Sequence, residues 1–452
     1  MNLIDAPVQT IRAHFALWAD AFAGLFLLGR LGVSALLQGK GAISDRLKEV
    51  LAKPEALRAG FAVLRAFQPN LTLGKTLVTA YESKGTAIVT RSTDVYEVLD
   101  READFSVVYE PKMRKITAGE NFFLGMQNTA QYQHDVSLMR LAMRREDVEA
   151  IVVPLAKEKS ESFAAAAQKR IDLPQELTRR VPAAIVSDYL GVAGVLETDL
   201  IDWATVMFWY LFVDIVGLPE VETRALAAAK SCREGVDAAI AARKQSGAKK
   251  TDVLGRCLEL QGSAPEFTDL AIRNNLIGLL IGAIPTISMA SCHAVDQLLD
   301  RPEALAGARA AAQQGDTTLL GAYIFEALRF NPLNPLIYRR ANRDVTIAAS
   351  TLRQRRIRKD TMVLASNLSA MFDPLRIESP KEFRTDRPWG DYMLWGYGFH
   401  SCFGAYINHA VIPVMLRPVL ARENLRRAAG AAGQMDGGDT PPFPQHFVLE
   451  SD

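Results

Sequence analysis

The sequence predicts a mainly α-helical fold with a small β portion, in a single domain. Three observations predict it. Ala, Leu, Arg and Glu dominate from about residue 145 to 330, with apolar positions at helical spacing. Two short β-rich runs, DVTIAAS (344–350) and DTMVLASNLS (360–369), stand apart from that helical tract. No internal repeat or composition break marks a second domain.

In chain order, MNLIDAPVQTIRAHF lacks the basic and apolar regions of a secretory signal. The apolar stretch Ala16 to Gly39 is interrupted by Asp20 and Arg30, whereas a membrane span needs about 20 residues almost free of charge. It reads as an amphipathic helix packed on the protein, with interfacial membrane contact as the alternative. Residues 1–45 are therefore an N-terminal extension, amphipathic and open to a membrane-facing role, and 46–452 the main domain. GTAIVTRSTDVYEVL (85–99) predicts a short strand and then a helix capped by Ser92 or Thr93. Asn274 to Leu299 is a long apolar run that predicts a buried helix.

The basic stretch TLRQRRIRK (351–359) reads as a turn or loop, either a solvated surface or a docking patch for an acidic partner. RKQSGAKKTD (243–252) predicts an exposed loop, and GAAGQMDGGDTPPFP (430–444) a loop leading into a last strand, HFVLE.

Several function classes drop out. A formal charge of +1 gives no general attraction to nucleic acid. Four cysteines without a CxxC pair argue against structural zinc and against a disulfide framework. PNLTLGKT ends like a phosphate-binding loop, but Pro69 stands where that loop needs glycine. No GxGxxG follows a strand, so electrons, if the chemistry needs them, come from separate proteins.

The stretch WGYGFHSCFGAY (395–406) carries the chemistry. Gly396, Gly398 and Gly404 surround Cys402, and glycine allows positive φ and close approach of backbone to a flat ligand. His400 can serve an anionic group, and helical spacing after Gly404 puts Cys402 before a helix N-terminus, where a thiolate is favoured. A single thiolate in a glycine-lined loop suits a planar metal cofactor such as haem.

This run resembles the haem-binding signature of the cytochrome P450 family: aromatic, Gly, x, Gly, x, basic, x, Cys, x, Gly. Trp395 stands where phenylalanine is usual, and Phe399 is an uncommon choice. FEALRFNPLNPLIYRRA is similar to the family's Glu-x-x-Arg segment, and FRTDRPWGDYMLWGYG, with Phe383 and Arg387, to the segment before the signature. The likeness runs from about residue 65 to 449. It implies the single-domain P450 fold and haem b (iron protoporphyrin IX) with Cys402 as metal ligand, flanked by Trp395, Gly396 and Gly404. It also implies Glu326 and Arg329 as structural supports of the cysteine loop, and His400 with Arg339 (or Arg340) on the haem propionates.

The family's oxygen-side motif aligns with Gly282, Ala283, Ile284, Pro285 and Thr286. Gly282 and Ala283 leave room, and Thr286 keeps the hydroxyl. Pro285 replaces an acid that relays protons, and its ring predicts an opened or kinked helix. The family's His-x-x-x-Arg positions fall on Tyr132 and Val136, leaving His134 as the nearest polar candidate for a propionate.

ENFFLGMQNTAQY (120–132) and the aromatic WATVMFWYLFVDIVGL (203–218) are expected around the substrate. The implied activity is oxygen insertion from O2 into a lipophilic substrate such as a fatty acid or terpenoid, with a separate ferredoxin and reductase. The alternative is a peroxygenase or hydroperoxide isomerase that needs no reductant. A haem sensor without turnover fits less well, because Gly282 and Ala283 leave the distal side open. Arg422, Arg426, Arg427 and the 351–359 arginines are the candidates for redox-partner docking. A cytoplasmic location follows, with contact to the inner face of the membrane left open.

Overall fold

The computed structural model describes residues 5–37, 53–438 and 442–452. The expected end of the N-terminal extension at residue 45 lies outside the described residues, as do residues 439–441 of the C-terminal loop. Helices dominate and the strands form three small sheets, so the fold is mainly α with a small β portion, as the sequence predicts. Two compact units are distinguished. One contains the described parts of 1–78, 82–106 and 329–401; the other contains 79–81, 107–328 and 402–452.

The first unit is organised on a five-stranded sheet. Its strands are β1 (Asn70–Leu73), β2 (Thr86–Val89), β3 (Phe105–Ser106), β5 (Ile337–Ala341) and β8 (Met362–Ala365), in the order β1-β2-β8-β5-β3. β8, MVLA, is buried along its whole length, as suits an interior strand. It runs parallel to β2 and antiparallel to β5, with Arg339 opposite Val363. The basic stretch 351–359 is not all turn and loop: β6 (Val345–Ile347) and β7 (Arg355–Ile357) pair as a hairpin. Alternation explains the difference, because Ile357 is buried while Arg356 reaches Asp344 at 2.7 Å.

Helix α1 (Asp5–Leu37) packs on α2 (Pro54–Phe67). A Cβ at Gly24 would meet the Ala59 carbonyl at 2.7 Å, so glycine permits this close approach. Asp20 is buried and paired with Lys381, which removes the charge that breaks the apolar stretch. Helix α3 (Ser92–Asp100) is capped neither by Ser92 nor by Thr93. Arg91 is its N-cap residue, and the Asp373 carboxylate accepts from the Ser92 amide at 2.9 Å. A carboxylate distant in sequence has taken the place of a local hydroxyl.

In the second unit, α4 (Ala130–Ala142), α5 (Glu197–Phe208), α6 (Asp269–Leu299) and α8 (Ala405–Leu420) matter for the site. So does α7 (Thr317–Phe330), whose last two residues belong to the first unit. The expected opening at Pro285 is absent: α6 runs without interruption through it. Pro285 offers no N–H to the Ile281 carbonyl, but the Thr286 hydroxyl bonds back to the Gly282 and Ala283 carbonyls. That back-bonding supports the turn from the side chain. A three-stranded sheet of β4 (Arg170–Asp172), β10 (Val448–Glu450) and β9 (Arg426–Arg427) includes the expected last strand.

Candidate active site

Cys402 lies two residues before Gly404, the N-cap of α8. Burial raises its thiol pKa, against which the Gly404 amide, the Arg140 guanidinium and the Ala405 amide favour the thiolate. The other three cysteines are buried, and burial pushes each thiol up to about 12. Cys402 alone among the four keeps accessible surface. The glycines serve two different needs. Gly396 (φ 73°) and Gly398 (φ 71°) hold left-handed backbone, and a Cβ at Gly398 would sit 3.0 Å from the Leu99 carbonyl. Gly404 has ordinary φ and open space where its Cβ would be.

Helix α6 is buried along most of its length. From Asn274 to Val295 only Gly282, Ala283, Thr286 and Ala290 keep accessible surface. At this spacing they form one stripe of small side chains. A Cβ at Gly282 would meet nothing within 4 Å, while one at Gly278, a turn earlier, would strike the Phe122 ring at 2.6 Å. The 120–132 loop is thus fixed against α6. Its Phe123 packs 4.8 Å from Phe403, the residue after Cys402, and Phe122, Phe123 and Met126 are all buried. The aromatic 203–218 segment ends α5 in a wide turn, Trp209–Val213, where Phe212 packs on Phe208 (4.7 Å) and Tyr109 (4.7 Å).

In the first unit, buried Arg339 lies close enough to His400 to act on its charge. Arg339 donates to the Tyr338 carbonyl at 2.9 Å. His400 Nε2 lies 3.2 Å from Glu102; burial and the Arg339 charge lower its pKa, and Glu102 opposes them. Trp395 packs 5.2 Å from Trp389. Arg329 is fully buried and donates to the Met371 (3.1 Å) and Glu382 (3.2 Å) carbonyls. Its guanidinium covers the Phe330 and Phe372 rings, and Phe330 also stacks on Phe383. Arg387 donates to the carbonyls of Glu378, Ser379 and the same Glu382. Two arginines thus clamp the irregular segment 371–387 that leads to the cysteine loop. Glu326, one turn before Arg329 on α7, is equally buried.

His134, the polar candidate for a propionate, lies on α4 with Nε2 3.3 Å from the exposed carboxylate of Glu266. Sequence reasoning missed Arg140, six residues on. Its Nη1 donates to the Phe403 carbonyl at 2.9 Å, and its guanidinium lies 3.6 Å from the centre of the Phe403 ring. Nothing in its spacing separates it from a solvated helix arginine. The candidate docking arginines make contacts of their own. Arg427 pairs with Asp296 and Asp300, Arg426 with Asp452, and Arg422 donates to the Ala164 carbonyl.

Within the second unit, an accessible thiol under helix amides and a stripe of small residues with open space at Gly282 suit a flat cofactor with a metal centre. The residues present fit haem.

Comparison with known proteins agrees. The family described as Cytochrome P450 matches residues 65–422. The chain is 30% identical over 182 residues to a putative cytochrome P450 137 of Mycobacterium tuberculosis, covering 39% of this chain and 37% of that one. It is 32% identical over 104 residues to a linoleate diol synthase of Gaeumannomyces graminis, covering 23% of this chain and 9% of that one. These matches span well under two thirds of either relative's length. Among solved structures it resembles P450BioI in complex with an acyl carrier protein ligated to hexadec-9Z-enoic acid. That likeness has a TM-score of 0.74 and 18% identity, covering 88% of this chain and 98% of that one. With the motifs, the fold and a match over most of its length, this chain belongs to the cytochrome P450 family.

Proposed function

We propose that this chain inserts oxygen from O2 into a long apolar substrate of the fatty-acid type, using haem held by Cys402. The accessible stripe on α6 carries the reading. The helix has no charged side chain from Asn274 to Cys292, so whatever lies against Gly282 and Ala283 meets apolar surface and one hydroxyl. The names of two similar proteins, one citing linoleate and the other hexadecenoic acid, support an acyl chain.

Haem would be held by Cys402 and would supply O2 activation there. Arg339 and His400 would take the propionates. Arg329, Glu326 and Arg387 hold the loop that presents Cys402. Thr286 directs its hydrogen to the Gly282 carbonyl, so its oxygen is an acceptor for a hydroxyl or water placed over Gly282. Pro285 contributes no proton, and proton supply there depends on Thr286 and water.

That last point favours a second reading, in which a peroxide or lipid hydroperoxide is the oxidant and little proton delivery is needed. One experiment separates them. A panel of fatty acids is offered with O2 and a surrogate ferredoxin and reductase, and in parallel with hydrogen peroxide or a fatty-acid hydroperoxide. Turnover only in the first arm supports the monooxygenase; turnover only in the second rejects it. Pro285→Asp should raise reductant-driven turnover if proton supply limits the rate, and an unchanged rate with full haem loading counts against that.

Electrons would enter beside the cysteine loop. Arg144 and Arg145 are exposed there, with Arg145 5.8 Å from the Tyr406 ring, and they are better docking candidates for an acidic ferredoxin than the internally paired Arg422, Arg426 and Arg427. We place the enzyme in the cytoplasm at a membrane surface. The outer face of α1 presents Ile11, Phe15, Trp18, Phe22, Phe26 and Leu37 to solvent, a larger apolar surface than a soluble helix keeps.

A further inference from the structure

Beside α1, in the first unit, lies a cavity of ≈ 300 Å³. Arg65, Arg91, Arg353 and Arg355 line it together with His14 and Trp18, and no carboxylate among the described residues is in its wall. Two of these arginines are deeply buried, Arg65 at 2% exposure and Arg91 at 6%.

Part of their hydrogen-bonding capacity is met. Arg65 Nη1 donates to the Ser369 carbonyl (3.0 Å) and hydroxyl (2.9 Å). Arg353 forks onto Asp94 (3.1 and 3.0 Å), and Arg355 Nε donates to the Asn70 carbonyl (3.1 Å). Two donors are left over: Arg65 Nε and Arg91 Nη1 make no hydrogen bond, the latter lying 3.6 Å from Asp373. Buried guanidinium donors without acceptors cost free energy that an anion would recover. Burial lowers the Arg65 pKa to about 10, which the Asp373 and Asp20 carboxylates oppose, so it stays charged at neutral pH.

We propose that this cavity receives the phosphate of an anionic phospholipid headgroup. The inference rests on the membrane-surface reading of α1 and adds the lipid class. Two features select a lipid over a free anion. Trp18 belongs both to the cavity wall and to the apolar ridge of Phe15, Phe22 and Phe26. A phosphate seated among the arginines would therefore have its acyl chains beside that ridge. Guanidinium forks match phosphate oxygens, and tryptophan suits the headgroup level of a bilayer.

The test uses haem-loaded full-length protein in vesicle co-sedimentation, with phosphatidylcholine alone and with phosphatidylcholine mixed with phosphatidylglycerol. Binding to the mixed vesicles should be about ten-fold tighter. Arg355→Gln combined with Arg91→Lys should remove most of that preference, whereas Arg356→Gln, outside the cavity, should not. Phe15→Asp with Phe22→Asp should abolish binding to both vesicle types. Absence of binding to any vesicle rejects the membrane reading itself. Binding without anionic preference, or a preference that survives the cavity variant, rejects the headgroup site and leaves α1 as an interfacial helix. If the double variant misfolds, Arg355→Gln alone should lower the preference about five-fold. Inorganic phosphate or glycerol phosphate that binds the wild type as tightly as mixed vesicles would assign the cavity to a soluble anion and overturn the lipid.

Discussion

The cysteine loop and the stretch of α6 around Gly282 are constrained in different ways. In the loop, residue identity is written into the backbone. Gly396 and Gly398 take left-handed φ, a side chain at 398 would collide with the Leu99 carbonyl, and the Gly404 and Ala405 amides face the sulfur. In α6 the backbone is ordinary helix, and the unusual Pro285 leaves it unbroken. A motif that encodes backbone conformation cannot drift without damage to the fold. A motif that encodes proton chemistry can drift while the fold stays whole.

The largest break in that comparison should come from the support of the loop. Arg329→Ala removes a buried charge that satisfies two carbonyls and covers two rings. It also leaves Glu326 buried one turn away. The expected loss is about 3–5 kcal/mol, seen as poor haem incorporation and early urea unfolding. Holoprotein of wild-type stability would show that the 371–387 segment holds itself. On α6, Pro285→Ala should move the other way. Restoring an N–H to the Ile281 carbonyl should add as much as about 3 kcal/mol, read as a higher Tm at full haem loading. An unchanged or lower Tm would mean that packing around the proline, not the missing amide, sets the local stability.

Paired glycine substitutions sharpen the contrast at smaller scale. Gly398→Ala places a side chain at φ 71° and 3.0 Å from a carbonyl, and should cost about 1–2 kcal/mol. Gly282→Ala meets open space in a regular helix and should gain about 0.5–1 kcal/mol. The added methyl should nevertheless weaken binding of a bulky substrate. Urea unfolding of both holoproteins checks the signs; equal losses would erase the distinction.

The same division explains what the sequence made legible. The helical tract, strands β6 and β8, the glycine loop and the Glu326–Arg329 spacing could be read because local preferences and tertiary needs agree there. The strand hidden in 351–359 and the Asp373 cap of α3 could not. The hairpin pairs β7 with neighbouring β6 beneath a run of arginines that reads as solvated loop, and the cap is set by a carboxylate 281 residues away. The outward face of α1 is a third kind of case. Its apolar positions were visible, but not which of them α2 would cover.

Arg140 gives the smallest effect and the finest test, because it joins the loop to a helix with no recognisable motif. Its guanidinium bonds the Phe403 carbonyl, lies over the Phe403 ring, and favours the charged form of Cys402. Arg140→Gln keeps a donor for the carbonyl but removes the charge. Stability should fall by less than about 1 kcal/mol, the scale of a partly exposed cation–π contact. The electrostatic consequences should be clearer. Less positive potential near the sulfur should lower the haem reduction potential and raise the thiol pKa. More of the reduced, carbon monoxide-treated protein should then lack the strongly red-shifted Soret band as pH falls. Arg140→Lys, which retains the charge, should restore both readouts, and Arg144→Gln, exposed one turn on, should leave them unchanged. A potential that ignores Arg140→Gln would reduce this residue to packing, and the loop would then set the thiolate with its own amides alone.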